Sequence, residues 1–316
     1  MKMLINCFFL FSISLFSLPI YLSAQQEILL KLQMENEKNF PKKFRSIRDA
    51  LNPEIASQIN TQGLLDLNIS GSGQFSLLSL EKVLEELNYP NNFYVIDLRL
   101  ECHGFLNGHA VTWYTYRNWG NLGKSLSQVE QEEKDLTTEL AKSTETIMHR
   151  FINKGEADGE VAETLEIPCL VYEVYTEEEA LVKNFQVHYF RIPVPDHRKP
   201  TAENVDRFLD FIKTLPEDRW IHFHCAGGSG RTTSFMVMYD MIKNAKELSF
   251  EEIMERHKAL GGKDLFSDLL PDTYWKTIHH HERHQFLKDF YVYCLLNQDN
   301  FEQSWSAYLL QNTINP

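Results

Sequence analysis

The nine-residue segment HCAGGSGRT, at positions 224–232, constrains the fold of this chain more than any other segment. Before it, Ile221 and Phe223 alternate with histidines, which predicts a buried strand ending at Cys225. After it, apolar residues at helical spacing predict a helix over residues 232–243. The order of strand, glycine-rich loop and helix predicts an anion cradle, because the loop N–H groups and the positive helix end point at the same place.

Two reactive side chains flank this loop. The helix N-terminus and Arg231 would stabilise a thiolate at Cys225 and lower its pKa, and the guanidinium can bind two phosphate oxygens. Thr232 is placed to donate a hydrogen bond to the nucleophile. Taken alone, a lone cysteine is most often inert and glycines most often form a turn. The combination favours a cysteine-dependent phosphatase loop, whose anion-binding backbone would come from Ala226, Gly227, Gly228, Ser229 and Gly230.

Strand and helix patterns alternate along the chain and predict an α/β fold with a central sheet flanked by helices. Strands are expected at residues 93–98, 171–174 and 187–192. Helices are expected to begin after Ser79, Thr176 and Thr201, and at the capping box formed by Ser249 and Glu252. The loop would lie at the carboxyl end of a strand, where such sheets bind ligands.

Residues 1–24 carry a single charge, Lys2, followed by an apolar run and a small residue, Ala24. This pattern predicts a secretory signal peptide, with an uncleaved anchor as the alternative. The mature chain, residues 25–316, would then be periplasmic, secreted or delivered to a host cell, with no stable membrane partner. For an oxidising compartment, the sequence does not decide between a disulfide joining Cys102 and Cys169 and two free thiols.

The net charge of −13 argues against nucleic acid and anionic membranes as general partners. An anionic small-molecule substrate therefore needs a local concentration of cations. The apolar pattern fits a monomer and a dimer equally, so the oligomeric state is not predicted.

An acid must protonate the leaving alkoxide when phosphate moves to Cys225. Asp196 is the candidate, because Pro195 and Pro200 keep its segment irregular and exposed shortly before the nucleophile strand. The alternative is an ordinary turn aspartate.

Several further segments carry a resemblance. They read FRSIR at 44–48, DLR at 97–99, HGFLNG at 103–108, WGNLGKS at 119–125, NVDRF at 204–208 and WKT at 275–277. With the loop and Asp196, they make the chain resemble the cysteine phytases, which are protein-tyrosine-phosphatase-like inositol polyphosphatases. The resemblance covers about residues 44–310. It implies a phosphatase fold with a small partial β-barrel, assigned to about residues 49–78 and 160–176.

The resemblance also implies roles for individual residues. Cys225 would attack phosphorus to give a cysteinyl-phosphate, Arg231 would bind the equatorial oxygens, and Asp196 would act as acid and then base. Thr232 and His224 would tune the thiolate. No metal or other cofactor is implied. The side chains expected to line the substrate pocket are Arg45, Asp97, His197, Lys276 and Arg283.

Two departures from the resemblance affect the site. Ala226 stands where relatives often have glutamate, which removes a negative charge beside the nucleophile. Residues 263–274, which can be lysine-rich in relatives, contain three aspartates against Lys263, so we expect weaker affinity for a highly charged substrate. The histidines at 279–284 lack a zinc-type spacing and fit a solvated or substrate-facing helix better than a metal site, although they could add positive charge below about pH 6.5.

We therefore expect a metal-independent phosphomonoesterase that hydrolyses myo-inositol hexakisphosphate (phytate) and lower inositol polyphosphates. One alternative is a phosphatase for phosphotyrosine or phosphoinositides. Another is a non-catalytic phosphate-binding module, although Cys225, Arg231 and Asp196 are all present.

Overall fold

The computed structural model describes residues 28–153, 163–266 and 274–314. The predicted signal peptide and its alternative, an anchor, lie outside the described residues. The strands are β1 (Leu29–Met34), β2 (Arg45–Ser46), β3 (Ile69–Gly73), β4 (Asn92–Asp97), β5 (His103–Leu106), β6 (His109–Tyr114), β7 (Glu145–Phe151), β8 (Thr164–Leu170), β9 (Val174–Thr176), β10 (His188–Arg191) and β11 (Arg219–Cys225). The helices are α1 (Pro53–Ala56), α2 (Leu77–Glu86), α3 (Leu126–Ala141), α4 (Glu177–Phe185), α5 (Ala202–Lys213), α6 (Gly230–Asn244), α7 (Phe250–Ala259), α8 (Thr277–Leu296) and α9 (Trp305–Ile314).

The central sheet has five strands in the order β10-β4-β11-β3-β2. β11 lies between β3 and β4 and is parallel to both, so it is buried on both faces. Its register places Cys225 opposite Gly73 and His224 opposite Asp97. Because parallel strands end at one edge, Cys225, the predicted nucleophile, lies where β3 and β4 also end. The predicted α/β fold is confirmed.

A second sheet has six strands in the order β8-β7-β1-β6-β5-β9, and its pairings are antiparallel except for β1 with β7. The segments assigned to a small barrel divide between the two sheets. Residues 69–73 form β3 of the central sheet, whereas residues 164–170 and 174–176 lie in the second sheet. Closure into a partial barrel stays a prediction. The register of β1 with β6 shifts between Leu32 and Met34, so Gln33 lies in a β-bulge.

Most predicted helix starts are confirmed. Thr176, Thr201 and Ser249 each accept a hydrogen bond from the N3 backbone in a capping box. The start assigned to Ser79 is wrong, because Ser76 caps α2 and Ser79 is its N3 partner. No helix among the described residues is long and apolar enough to span a bilayer.

The strand predicted at residues 171–174 is also wrong, since residues 171–173 form the connection between β8 and β9. The amide oxygen of Asn107 accepts hydrogen bonds from the backbone N–H groups of Tyr172 and Glu173, at 2.9 and 3.2 Å. These bonds satisfy two backbone N–H groups of the connection, so this segment needs no partner strand.

Candidate active site

The Cys225 thiol is buried at the end of β11, in contact with the first turn of α6. Thr232 Oγ1 lies 3.2 Å from Cys225 Sγ and donates to it, as predicted, and also lies 3.2 Å from the Ser72 carbonyl. Burial raises the pKa of Cys225, but the charge of Arg231 and the Thr232 hydrogen bond outweigh burial and lower it. This environment favours a nucleophilic thiolate.

The loop between Cys225 and Arg231 is held against β3. Gly73 forms a β-bridge with Gly227, and a Cβ at Gly228, whose φ is +66°, would lie 2.3 Å from the Gly73 nitrogen. Only glycine fits there. The Ala226 carbonyl accepts a hydrogen bond from Gln33 Nε2 at 3.0 Å, so the bulged strand of the second sheet also supports the loop.

Arg231 is held by a carboxylate that the sequence did not single out. Its Nη1 and Nη2 atoms donate to the two oxygens of Glu101 at 2.8 and 2.9 Å. Nη2 also lies 2.9 Å from Asp196 Oδ1. The Nε donor of Arg231 is buried and has no hydrogen-bond acceptor among the described residues, so it remains available to an anion. The guanidinium is thereby oriented by Glu101, and Arg231 lines the cavity.

Asp196, the predicted leaving-group acid, lies beside Arg231. Asn118 Nδ2 donates to Asp196 Oδ2 at 2.8 Å, and the Trp119 indole donates to the Asp196 carbonyl at 2.9 Å. Burial raises the pKa of Asp196, but Arg231, His197 and Asn118 hold it well below its usual range. The side chain is therefore a carboxylate before substrate binds, ready to accept a proton from water.

A buried ionic cluster lies behind the nucleophile. His224 Nε2 is 2.9 Å from Glu177 Oε1, and His103 Nε2 is 2.9 Å from Glu177 Oε2. Asp97 is fully buried, accepts from the Tyr189 hydroxyl at 2.8 Å and pairs with Arg191 at 3.1 Å. The structure thus places Asp97 in this cluster and outside the pocket lining that the family resemblance implied.

Of the other four residues expected to line the substrate pocket, three line the cavity and one does not. Arg45 is buried beneath the loop, where it donates to the Gly228 carbonyl at 3.0 Å, and it does not line the cavity. His197, Lys276 and Arg283 do line it. Arg283 Nη2 donates to the His197 carbonyl at 2.7 Å and so supports the acid loop. A Cβ at Gly230 would lie 2.6 Å from Arg283 Nη1, so a side chain there would displace the Arg283 guanidinium.

The cavity above Cys225 has a volume of about 860 Å³, large for a single phosphate and within the ~300–1,000 Å³ range of small-molecule sites. Among the described residues, nine cationic and three carboxylate side chains line it, in a chain whose net charge is −13. The cations are Lys31, Lys42, Lys43, Arg117, Arg150, Arg231, Lys263, Lys276 and Arg283; the carboxylates are Glu35, Glu37 and Asp196. Positive charge is therefore concentrated at this cavity.

Residues 263–274 affect the cavity less than their composition suggested. Lys263 lines the cavity, while Asp264 pairs with Lys258 at 2.5 Å. Residues 267–273, with the other two aspartates, lie outside the described residues. In α8, His280 lines the cavity, and burial together with Arg283 lowers its pKa to about 4, so it adds charge only below that pH rather than below 6.5.

Cys102 and Cys169 are free thiols, so the structure does not contain the disulfide that the sequence left open. Cys102 is buried and lies 3.8 Å from the Val129 carbonyl. Burial raises the pKa of Cys102 to about 12. This thiol is unreactive, in contrast to Cys225.

Comparisons with known proteins relate this chain to one family. The family description "PTP-like phytase, inositol hexakisphosphate" matches residues 96–243. The PTP-like myo-inositol phosphatase from Mitsuokella multacida, solved in complex with myo-inositol-(1,3,4,5)-tetrakisphosphate, superposes with a TM-score of 0.81 at 35% identity, covering 92% of this chain and 48% of that one. Effector protein hopD2 of Pseudomonas syringae pv. tomato is 29% identical over 267 residues, which is 84% of this chain and 56% of the effector. The chain thus spans about half the length of both proteins.

A third protein matches along almost its whole length. The PTP-like phytase from Bdellovibrio bacteriovorus superposes with a TM-score of 0.69 at 30% identity, covering 90% of this chain and 95% of that one. The chain therefore belongs to the protein-tyrosine-phosphatase-like phytases, a family of cysteine-dependent phosphatases.

Proposed function

We propose that this chain is a phosphomonoesterase that hydrolyses myo-inositol hexakisphosphate and lower inositol polyphosphates through a cysteinyl-phosphate. The observation that carries the proposal is the cavity of about 860 Å³ with nine cations around Cys225. One phosphate fills the loop, so the remaining cations fit a substrate that carries several phosphates. The solved Mitsuokella relative in complex with an inositol tetrakisphosphate supports this substrate class.

In the first step, the Cys225 thiolate attacks phosphorus, the P–S bond forms and the bond to the ring oxygen breaks. Arg231, oriented by Glu101, donates to the equatorial oxygens, and the loop N–H groups stabilise the same charge. Asp196 gives its proton to the departing alkoxide. In the second step, the Asp196 carboxylate takes a proton from water and the water oxygen attacks phosphorus. The P–S bond breaks, which regenerates the Cys225 thiolate and releases inorganic phosphate.

The pKa of Asp196 must rise on substrate binding for the first step. Before binding, Arg231 holds this carboxyl deprotonated. A phosphate dianion in the loop shares the guanidinium and places negative charge beside the carboxyl, and both effects raise its pKa. Substrate binding therefore favours protonated Asp196, and we expect turnover to be highest at acidic pH.

Phosphate release from myo-inositol hexakisphosphate and from a phosphotyrosine peptide tests the substrate class. We expect the larger kcat/KM for the inositol phosphate, and a larger value for the peptide would contradict the proposal. Cys225→Ser should abolish turnover while calorimetry still detects hexakisphosphate binding. Unchanged turnover in this variant would contradict the cysteinyl-phosphate mechanism, and chromatography of the products would identify the first phosphate removed.

We also propose that residues 1–24 direct export, which leaves residues 25–316 as the phosphatase. The similarity to a protein named an effector supports action outside the producing cell. N-terminal sequencing of the protein from the periplasm and the medium tests this. A mature N-terminus near residue 25 in either fraction is expected, and an intact N-terminus confined to the cytosol would contradict export.

A further inference from the structure

A tight turn at residues 41–44 holds two lysines at the rim of the phosphate loop. The Phe44 N–H donates to the Pro41 carbonyl at 3.1 Å, so Lys42 and Lys43 occupy the two central positions of the turn. Both side chains line the cavity, and both residues are exposed. Neither the chemistry of the loop nor the family resemblance gives these lysines a role.

Lys43 has an unfavourable backbone conformation. Its φ is +55°, in the left-handed region that costs most residues free energy and suits glycine or asparagine. The surroundings hold it there: the Gly73 N–H donates to the Lys42 carbonyl at 2.7 Å, and Arg45 Nη1 donates to the Lys43 carbonyl at 2.9 Å. Strain of this kind persists only where neighbouring structure imposes it, and it concentrates at ligand-binding sites.

The conformation brings the Lys43 ammonium to the phosphate loop. Its Nζ donates to Ser229 Oγ at 2.9 Å, and Ser229 is the N-cap residue of α6. The scissile phosphate binds inside the loop, between Cys225 and Arg231, whereas Lys43 reaches the loop from its outer rim. A substituent on the same ring as the scissile phosphate would therefore meet Lys43 as it projects from the loop.

We propose that Lys43, with Lys42 beside it, forms a subsite for a second phosphate of the substrate. This rests on the proposed function and adds residues that distinguish a polyphosphate from a monoester. The ammonium turns from the Ser229 hydroxyl to a phosphate oxygen, so both partners of the new hydrogen bond carry charge, whereas only the donor carries charge in the bond to Ser229. A substrate with one phosphate fills the loop and has no group for this subsite.

The variant Lys43→Asn tests the subsite without endangering the fold, because asparagine tolerates a left-handed φ. We expect an equal or higher Tm. The ratio of kcat/KM for myo-inositol hexakisphosphate to that for p-nitrophenyl phosphate should fall about tenfold, the loss expected for one hydrogen bond to a charged group. The matched control is Lys142→Asn at the exposed end of α3, where the lysine pairs with Glu139, and its ratio should equal that of the wild type.

Two results would overturn the subsite. If Lys43→Asn lowers both kcat/KM values equally, the lysine acts on the loop through Ser229; if it lowers neither, no phosphate contacts it. Calorimetric titration of the Cys225→Ser variant with hexakisphosphate, with and without Lys43→Asn, separates this proposal from the proposed function. Wild-type protein that cleaves only p-nitrophenyl phosphate would contradict the function. In that case the binding titrations alone would test the subsite. About tenfold weaker hexakisphosphate binding when Lys43→Asn is added to Cys225→Ser would support the subsite, and equal binding by the two proteins would contradict it.

Discussion

Replacing Glu101 with glutamine tests how Arg231 is oriented, because the shape of the side chain is kept and its charge is lost. Glu101 is buried and accepts from Arg231 through both oxygens and from Arg99 Nε at 2.9 Å. Removing one partner of a buried ion pair costs about 3–5 kcal/mol. Because Arg231 keeps its bonds to the Leu98 and Val194 carbonyls, we expect about 3 kcal/mol.

That loss should lower the Tm by about 6 °C or more, given about 2–4 °C per kcal/mol for a chain of 150–250 residues. It should also displace the guanidinium and lower kcat/KM about 100-fold, since small misplacements of this kind cost that much. Calorimetric unfolding and initial rates of phosphate release, both corrected for folded protein, measure the two effects.

A matched control distinguishes orientation from general stability. Asp240 is also buried and paired with an arginine, Arg256, at 2.6 Å, but it does not line the cavity. Asp240→Asn should cost similar stability while kcat/KM per folded molecule stays within about twofold of wild type. If Glu101→Gln behaves in the same way, Arg231 is oriented without Glu101 and the reasoning fails.

Three further predictions address the acid, the ionic cluster and the loop. Asp196→Asn should lower hexakisphosphate turnover about 1,000-fold and p-nitrophenyl phosphate turnover much less, because nitrophenolate needs no proton; equal losses in steady-state rates would contradict an acid role. Although burial and Arg99 lower the pKa of His103, Asp97 and Glu133 raise it to about 9. Protonated His103 therefore stabilises the folded protein by about 3 kcal/mol, fully below pH 6.5, and this stabilisation is lost as pH rises through 9. The free energy of unfolding of His103→Gln, measured by chemical denaturation, should lack this pH dependence. Gly228→Ala should lower the free energy of unfolding by at least about 2 kcal/mol and abolish turnover, because its Cβ would meet the Gly73 backbone. Gly227→Ala should retain wild-type stability and turnover, because a Cβ there has nothing within 4 Å. Equal behaviour of the two variants in unfolding and rate assays would refute the steric argument.

The local features of the site could be predicted from the sequence because they depend on short spacings. Cys225 and Thr232 are seven residues apart, so a strand, a tight loop and a helix bring them together wherever these elements form. The helix start at Thr201 and the capping box at Ser249 depend on a spacing of three residues and were predicted for the same reason. Where two serines compete, as at Ser76 and Ser79, spacing alone does not select the cap, and the start of α2 was misplaced.

The support of the site could not be predicted, because it comes from residues far apart in the chain. Glu101 is 130 residues from Arg231, and Gln33 is 193 residues from Ala226. Nothing in the local sequence distinguishes these residues from other polar positions. Asp97 shows the converse, since the resemblance identified the residue while the fold places it behind His224, in the ionic cluster and outside the cavity.

The second sheet contributes residues that support the site in the central sheet. Gln33 of β1 donates to the loop, and Glu177, the first residue of the helix after β9, lies 2.9 Å from His224 and pairs with His103 of β5. Removing this sheet would take the Gln33 amide away from the Ala226 carbonyl and leave it the Gln74 backbone N–H, at 3.3 Å. It would also remove His103, one of the histidines paired with the fully buried Glu177 carboxylate. Because an unpaired buried charge is costly, we expect the central sheet alone to lose the loop geometry and not to fold into a smaller active phosphatase.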